Sequence, residues 1–409
     1  METAAIRVED RDTPDRAAFA GWLSSTNDIT RAFLAAGQIP GLINVAGGLP
    51  DPATYPADAI ADIAAKAIRD YPAETLGYGP IEGLPDLRTI IAERYSTAKM
   101  TLSNRNVLIT TSGMQGLDLI GKVLLNKGDV VAGQFPTYLG ALDAWRPRQA
   151  TFRNMDLTSA DCDPPAAMQD AKFAYTVPNY SNPTGRLVGA DMRRRMLAAA
   201  RLTGAWLIED DPYGSLNYDG PQIPSILEMA MQGGTTGPVV YMGTMSKLIS
   251  PGLRVGWVIA APEMIEALTL AKQGSDLCTS GITQRIACDI LQSGMIEARQ
   301  PVVATHYRKR RDALCAAMSD HLSDWFDWEV PAGGMFVWAT ARDPRIDTDR
   351  LFSIGLGEMV CFAPGSVFDA HGADRRSMRL NFTLNDEDKL VEAVRRIALT
   401  VERFLKEAI

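Results

Sequence analysis

The sequence predicts an α/β protein with a large, mostly parallel, doubly wound sheet and a smaller α+β domain at its carboxyl end. Five short apolar runs are rich in β-branched residues and nearly free of charge, as is typical of strands covered on both faces. Helical stretches separate these runs, and strict alternation of strand and helix favours a parallel sheet. After about residue 300 the alternation stops, which indicates a second unit.

The predicted strands of the large sheet are residues 107–110, 129–133, 173–177, 205–209 and 239–243, with helices at 115–127 and 190–203 among them. Beyond residue 300 the pattern predicts a helix at 302–322 and strands at 334–339, 359–363 and 378–384. The last strand alternates apolar and polar residues, so one of its faces should be exposed.

A final helix is predicted to begin at Asn385, a good N-cap, with acidic residues in its first turn. Its apolar stripe is Leu390, Val394, Ile397, Val401 and Leu405. We expect residues 1–56 to form an N-terminal arm and part of the small domain. Residues 57–300 should form the large domain, and residues 301–409 the small C-terminal domain.

Composition excludes several classes of protein. The 409 residues carry 41 basic and 49 acidic side chains, a net charge of −8, which argues against a nucleic-acid surface. No apolar run approaches the ~20 residues of a membrane span, and the polar N-terminus lacks a signal-peptide core. Five scattered cysteines and three scattered histidines predict reduced thiols and no metal site. We therefore expect a cytoplasmic protein.

Four motifs follow predicted strands. Residues 110–116 (TTSGMQG) lead into a helix whose backbone N–H groups would suit a phosphate, although on its own this motif is more simply explained as a strand-to-helix turn. Residues 178–185 (PNYSNPTG) have the composition of a loop. Residues 208–213 (IEDDPY) place three acids at a strand end, where open α/β sheets bind ligands. Residues 243–256 hold Lys247 and Arg254 among small hydroxyl residues.

In this combination and order, the motifs resemble the fold-type I pyridoxal-phosphate (PLP) enzymes, specifically the class I/II aminotransferases. The similarity is to the 2-aminoadipate and kynurenine aminotransferases. It runs from about Gly41 to the C-terminus and rests on 182–185 (NPTG), 210–213 (DDPY), Ser246-Lys247 with Arg254, and Arg379.

The resemblance implies PLP as the cofactor and gives roles to matching residues. Lys247 would form the internal aldimine and move a proton between the substrate Cα and the cofactor C4′. Asp210 would pair with the pyridinium nitrogen. Tyr138 would stack on the ring and take part in catalysis, and Asn182 and Tyr213 would hydrogen-bond the phenolic oxygen.

The same resemblance assigns the phosphate and the substrate. The phosphate would be bound by the amides of Gly113 and Met114 together with Thr244, Ser246 and Arg254. Arg379 would hold the substrate α-carboxylate through two parallel hydrogen bonds, near Gly48 and Asn182. Relatives commonly carry Ser and Gln where this chain has Gly113 and Met114, so two side-chain donors are missing here.

Two further residues follow from the resemblance. Tyr78 matches a tyrosine that reaches the phosphate of the neighbouring subunit, which implies a homodimer with shared active sites. The alternative interpretation of Tyr78 is an aromatic residue that only lies next to a turn. Arg31 matches an arginine on an N-terminal helix that contacts the distal carboxylate of acidic substrates, and its alternative is a solvated surface residue.

The predicted function is therefore transfer of an amino group between an L-amino acid (2-aminoadipate, glutamate, aromatic or aliphatic) and a 2-oxo acid such as 2-oxoglutarate. Two alternatives stay open. The same lysine and aspartate serve PLP-dependent lyases, decarboxylases and oxidases. Related domains also bind effectors in transcription regulators, but those need a longer helix-turn-helix region than the residues before Gly41 provide.

Overall fold

The computed structural model of the chain describes residues 19–25, 35–36, 39–159 and 161–407. The strands in chain order are β1 (Ile43–Asn44), β2 (Val107–Thr110), β3 (Val130–Gly133), β4 (Thr151–Asn154), β5 (Ala171–Thr176), β6 (Trp206–Asp210), β7 (Val239–Thr244), β8 (Gly256–Ile259), β9 (Phe326–Trp328), β10 (Phe336–Ala341), β11 (Val360–Cys361), β12 (Ala363–Pro364) and β13 (Ser377–Asn381). The α-helices are Ala57–Asp70, Pro72–Leu76, Pro85–Tyr95, Ser112–Leu124, Leu139–Trp145, Pro164–Met168, Ala190–Thr203, Ile226–Met231, Pro262–Gln273, Gly281–Gln292, Met295–His321, Thr348–Gly357 and Glu387–Glu407.

The large sheet has seven strands in the order β2-β8-β7-β6-β5-β3-β4. Strand β8 is antiparallel to both of its neighbours, and the remaining strands all run in one direction. The mostly parallel sheet predicted from the sequence is thus confirmed, and all five predicted strands are present. Strands β4 and β8 have no counterpart among the predicted runs. The sequence of β4 (TFRN) is largely polar, and β8 begins at the last residue of the 243–256 motif.

Both faces of this sheet are covered, as the apolar strands predicted. Successive residues of a strand point to opposite faces, and on β6 the side chain of Leu207 joins one hydrophobic core while that of Ile208 joins another. Each core is completed by helices from its own side of the sheet. The sheet is therefore doubly wound, and its carboxyl edge is left for loops.

The small sheet has the order β12-β13-β10-β9 and is antiparallel, and a two-stranded parallel pair joins β1 to β11. The prediction that β13 exposes one face is wrong, since every residue of β13 is buried. The segment before the first long helix covers its polar face: the N–H of Asn381 donates to the carbonyl of Val45 at 2.7 Å, and Arg379 donates to the carbonyl of Ala46.

Two helix boundaries also differ from the prediction. The helix predicted from residue 302 begins at Met295 and contains Pro301, whose side chain is on an exposed part of the helix. The final helix is capped by Asp386, whose carboxylate accepts from the N–H of Lys389 at 2.9 Å, while Asn385 instead donates to the carbonyl of Asn44. The predicted apolar stripe of that helix faces the core.

Across the described residues, no helix has both the length and the apolar character that a membrane span requires. The predicted domain limits at 56/57 and 300/301 stay predictions, and the helix Met295–His321 runs across the second of them.

Candidate active site

The carboxyl edge of the large sheet forms one wall of a cavity of about 360 Å³. Because six of the seven strands run in the same direction, the loops after β2, β3, β5, β6 and β7 open on the same side. Twelve of the fourteen predicted site residues line this cavity: Gly48, Gly113, Met114, Tyr138, Asn182, Asp210, Tyr213, Thr244, Ser246, Lys247, Arg254 and Arg379.

The other two predicted residues lie elsewhere. Tyr78 follows the short helix Pro72–Leu76 and is 90% exposed, away from the cavity lining. Arg31, with the helix and cap predicted around it, lies outside the described residues.

Lys247 lies three residues beyond the end of β7 and places its amine in the cavity. Its Nζ donates to the carbonyl of Gly48 at 2.9 Å and lies 6.0 Å from the centre of the Tyr213 ring. Burial, together with the positive charges of Arg379 and Arg254, lowers the pKa of Lys247 to about 8, although Asp210 opposes the change. A substantial fraction of this amine is therefore neutral near pH 8, as a nucleophile requires.

Asp210 is the last residue of β6, and its carboxylate is buried at the floor of the cavity. The hydroxyl of Tyr175, on the adjacent strand β5, donates to its Oδ2 at 2.8 Å. Burial raises the pKa of Asp210 to about 7. A buried carboxylate is costly unless it meets a positive partner, so this position suits a protonated ring nitrogen.

The neighbours of Asp210 have different surroundings. Glu209 faces the opposite side of the sheet, where its two oxygens accept from the N–H groups of Ile226 and Leu227 at 2.8 and 2.9 Å. Asp211 accepts from the Tyr241 hydroxyl at 3.1 Å and from the N–H of Gly214 at 2.8 Å. Among these three acids, Asp210 is the one that lines the cavity.

One end of the cavity is rich in donors suited to an anion. The helix Ser112–Leu124 begins there and directs its first N–H groups and positive dipole end toward the space. Arg254 donates to the hydroxyl of Ser112. Thr244 donates to the hydroxyl of Ser246 at 2.9 Å, so that a second pair of hydroxyls faces the same end.

Arg379 occupies the opposite side, between two aromatic rings. Its guanidinium carbon lies 4.2 Å from the centre of the Phe336 ring and 4.5 Å from that of Phe368. One nitrogen donates to Oδ1 of Asn182 at 2.5 Å, and Nε has no hydrogen-bond partner among the described atoms. Burial lowers the pKa of Arg379 to about 10, so the group stays charged at neutral pH and can bind a carboxylate.

The Tyr138 ring lines the same cavity as Asp210 and the anion-binding end. Its hydroxyl donates to the sulfur of Met114 at 3.3 Å. A Cβ on Gly140 would lie 2.5 Å from this ring, so a glycine is required there for the tyrosine to take its position. Met114, predicted as an amide donor, thus also contacts Tyr138 through its side-chain sulfur.

The sequence prediction missed several residues of the site, among them Ser112, Tyr175 and Phe368. Ser112 has a recognisable signal, since it is a hydroxyl residue beside the predicted Gly113. Tyr175 was predicted within a strand, but its contact with Asp210 depends on the pairing of β5 with β6. Phe368, which packs on Arg379 and lines the cavity, has no signal in the sequence.

The residues present fit PLP. Among the described residues the buried Asp210 forms no ion pair, hydroxyls and helix N–H groups converge at one end, and an amine of lowered pKa lines the same cavity. A flat aromatic cofactor with a ring nitrogen, an aldehyde and a phosphate has the complementary groups, and a cavity of this volume is typical for a small ligand.

The family model for aminotransferases of class I and II matches residues 51–397 of this chain. The chain is 34% identical over 391 residues to aromatic-amino-acid aminotransferase 1 of Thermococcus litoralis, with 92% of each protein covered. It is 35% identical over 381 residues to the 2-aminoadipate transaminase of Thermus thermophilus, with 92% of this chain and 94% of the relative covered.

Solved structures show the same likeness. The alpha-aminoadipate aminotransferase LysN of Thermus thermophilus superposes on this chain with a TM-score of 0.87 at 32% identity. The match covers 95% of this chain and 98% of LysN, which was solved in complex with N-(5'-phosphopyridoxyl)-L-leucine. The kynurenine aminotransferase of Pyrococcus horikoshii superposes with a TM-score of 0.86 at 33% identity, covering 95% and 97%, and was solved with PMP.

Proposed function

The chain belongs to the class I and II aminotransferases, and from that premise we propose that it moves the amino group of an L-amino acid to a 2-oxo acid such as 2-oxoglutarate. The predicted family, fold, cofactor and reaction class are confirmed: it is a PLP-dependent transaminase. The observation that carries the finer proposal is that Lys247, Asp210 and Arg379 line one cavity.

When bound, PLP supplies an electron sink for charge that develops at the substrate Cα. Lys247 is proposed to hold the cofactor covalently through its amine and then to carry a proton between the substrate Cα and the cofactor C4′. Its lowered pKa supports both tasks. Asp210 keeps the ring nitrogen protonated, because the buried carboxylate favours a positive partner.

The remaining residues position the reactants. Burial raises the pKa of Tyr213, so its hydroxyl stays protonated and can donate to the phenolic oxygen beside Asn182. Tyr138 stacks on the ring. The phosphate is bound at the donor-rich end, by the Gly113 and Met114 amides with Thr244, Ser246 and Arg254. Arg379 binds the substrate α-carboxylate with support from Gly48 and Asn182.

Substitution of the lysine tests this assignment. Lys247→Ala should abolish transamination while the protein stays folded, because among the described residues no other lysine lines the cavity. The measurement is turnover with a panel of L-amino acids and 2-oxoglutarate, together with the visible absorbance of the bound cofactor. Lys389→Ala, at an exposed lysine paired with Asp386, is the matched control and should be unchanged. Normal turnover by Lys247→Ala would refute the assignment.

The proposed substrates include amino acids with a distal carboxylate, recognised by Arg31. Support comes from the sequence resemblance and from relatives named for 2-aminoadipate as well as for aromatic amino acids. One two-pronged arginine–carboxylate contact contributes about 1.5–3 kcal/mol in a partly desolvated site. The Arg31→Ala variant should therefore lose about 10- to 150-fold in kcat/KM for glutamate and 2-aminoadipate.

Leucine and phenylalanine provide the internal control for this variant, since neither has a distal carboxylate. Their kcat/KM values should change little in Arg31→Ala. Equal losses for acidic and apolar substrates, or no loss for either, would show that Arg31 does not select the substrate.

A further inference from the structure

Ser112 adopts a backbone conformation that side chains rarely take. It is the first residue of the helix Ser112–Leu124, and its φ is 70°, in the left-handed region that favours glycine. A non-glycine residue in this region is strained, and such strain persists where the surrounding structure enforces it, often at a ligand site. The start of a helix does not by itself explain why Ser112 has a positive φ.

The surroundings of Ser112 hold the backbone in this conformation. The N–H of Thr111 donates to Oε1 of Gln115 at 2.8 Å, and the Thr111 hydroxyl donates to Asp276 at 2.8 Å. On the other side, the carbonyl carbon of Ser112 lies so close to Gly256 that a Cβ there would approach it to 2.9 Å. The loop is braced on both sides, so the Ser112 side chain has a fixed direction.

That direction brings its hydroxyl to Arg254. Ser112 is 3% exposed and lines the cavity, and its Oγ accepts a hydrogen bond from the Arg254 guanidinium. Arg254 is itself a non-glycine residue with positive φ, 54°. Within the described ranges no acceptor receives the Ser112 hydroxyl proton. The hydroxyl is thus oriented by a cation and has one donor left for an anion in the cavity.

The following residue, Gly113, has no side chain and so offers no hydroxyl to a ligand in the cavity. Space is not the reason, because a Cβ on Gly113 would have as its nearest contact the Met242 methyl, at 4.0 Å. A serine would therefore fit at residue 113. The chain has instead a hydroxyl one residue earlier, at a position where glycine would be less strained.

We propose that Ser112 binds the PLP phosphate through its hydroxyl, a side-chain donor that Gly113 does not have, and that it accepts the Arg254 hydrogen bond at the same time. This inference rests on the proposed placement of the phosphate at the start of the helix. It makes the left-handed conformation of Ser112 a requirement of cofactor binding, since that conformation directs Oγ into the cavity.

Three variants of the apoprotein distinguish the effect of the Ser112 hydroxyl on PLP affinity from the effect of its backbone strain on stability. Ser112→Ala removes the hydroxyl and keeps the strain, so we expect PLP affinity to fall about 10- to 100-fold, the effect of one hydrogen bond to a charged group, with little change in the Tm of the apoprotein. Ser112→Gly should lose the same affinity but raise the apoprotein Tm, because glycine accepts positive φ. The double variant Ser112→Gly/Gly113→Ser should recover most of the affinity.

The readouts are the dissociation constants of PLP and of pyridoxal, which lacks the phosphate, and the apoprotein Tm. Pyridoxal affinity should be the same in wild type and Ser112→Ala. Wild-type PLP affinity in Ser112→Ala, or equal losses of affinity for PLP and pyridoxal, would overturn the proposal. An unchanged Tm in Ser112→Gly would show that the positive φ of Ser112 does not destabilise the apoprotein. Failure of the proposed function is distinguishable, because the wild type would then form no covalent link to either compound.

Discussion

At the scale of single residues, adjacent acids have different chemistry because their surroundings differ. Asp210 faces the cavity, receives one hydrogen bond from Tyr175 and has a pKa raised to about 7 by burial. Asp211 accepts from Tyr241 and from the backbone of Gly214 on the other side of the loop. The first carboxylate is available to a bound ring nitrogen, whereas the second holds the loop after β6.

Asparagine substitutions at the two positions should therefore differ. Asp210→Asn removes the charge that is proposed to keep the ring nitrogen protonated, so kcat should fall by several orders of magnitude while the proposed phosphate contacts keep the cofactor bound. Steady-state kinetics and cofactor content measure both effects. Asp211→Asn is the control and should keep most of the activity. A variant Asp210→Asn that binds no cofactor would indicate a structural role for this acid.

At the scale of secondary-structure elements, Glu209 links β6 to the helix Ile226–Met231. Side chains alternate along a strand, so Glu209 points away from the cavity that Asp210 faces. Its two oxygens accept from the first two N–H groups of the helix, which have no partner within a helix. Glu209 is therefore adjacent to Asp210 in the sequence but stabilises the fold and does not face the cavity.

Glu209→Ala should destabilise the protein without changing the cofactor's absorbance. Two buried N–H groups would lose their acceptors, at about 1–3 kcal/mol each. Ser225→Ala, which removes the hydroxyl that accepts from Glu228 in the same helix, is the milder control and should cost about 1 kcal/mol. Denaturant unfolding measures the free energies, and equal stabilities of Glu209→Ala and wild type would contradict the expectation.

The same residue makes stability depend on pH. Burial raises the pKa of Glu209 from 4.5 to about 7, so the folded state binds a proton more tightly than the unfolded state. The stabilising contribution is fully present below pH 4.5 and is lost as the pH rises through 7, up to about 3 kcal/mol. Glu209→Gln does not titrate, so the wild type should lose stability relative to it between pH 4.5 and 7.

At the scale of the whole molecule, several exposed apolar residues lie close to Tyr78 in the sequence. Tyr78 is 90% exposed and Leu76 is 70% exposed, with Ile68 and Tyr71 also exposed on the preceding helix and turn. Large exposed apolar side chains that cluster are typical of protein–protein contacts. Their presence here agrees with the prediction of a homodimer in which Tyr78 of one subunit would complete the phosphate site of the other.

Mixing two inactive variants tests shared sites. If each site combines Lys247 of one subunit with Tyr78 of the other, a hybrid of Lys247→Ala and Tyr78→Ala subunits contains one intact site. Refolding an equal mixture should therefore restore about a quarter of the wild-type activity, since half of the dimers are hybrids with one working site. Each variant refolded alone is the control. Hybrid dimers without activity would show that Tyr78 does not act across the interface.

The sequence by itself determined the order of the elements and the parallel sheet, and its motifs gave twelve residues of the cavity lining through their resemblance to a known family. These features depend on local patterns. Apolar, β-branched runs mark strands covered on both faces, and residues that follow strand ends must meet at one edge of a parallel sheet. Lys247, Asp210 and Asn182 could therefore be placed together before any contact was known.

The tertiary structure decided what depends on pairing between distant segments. The polar face of β13 is buried because residues 45–49 cover it, although its alternating pattern predicts exposure. Tyr175 reaches Asp210 through the pairing of β5 with β6. The strained φ of Ser112 arises from braces at Gln115, Asp276 and Gly256. No local pattern encodes such contacts, because the energy of each depends on neighbours that the fold alone brings within reach.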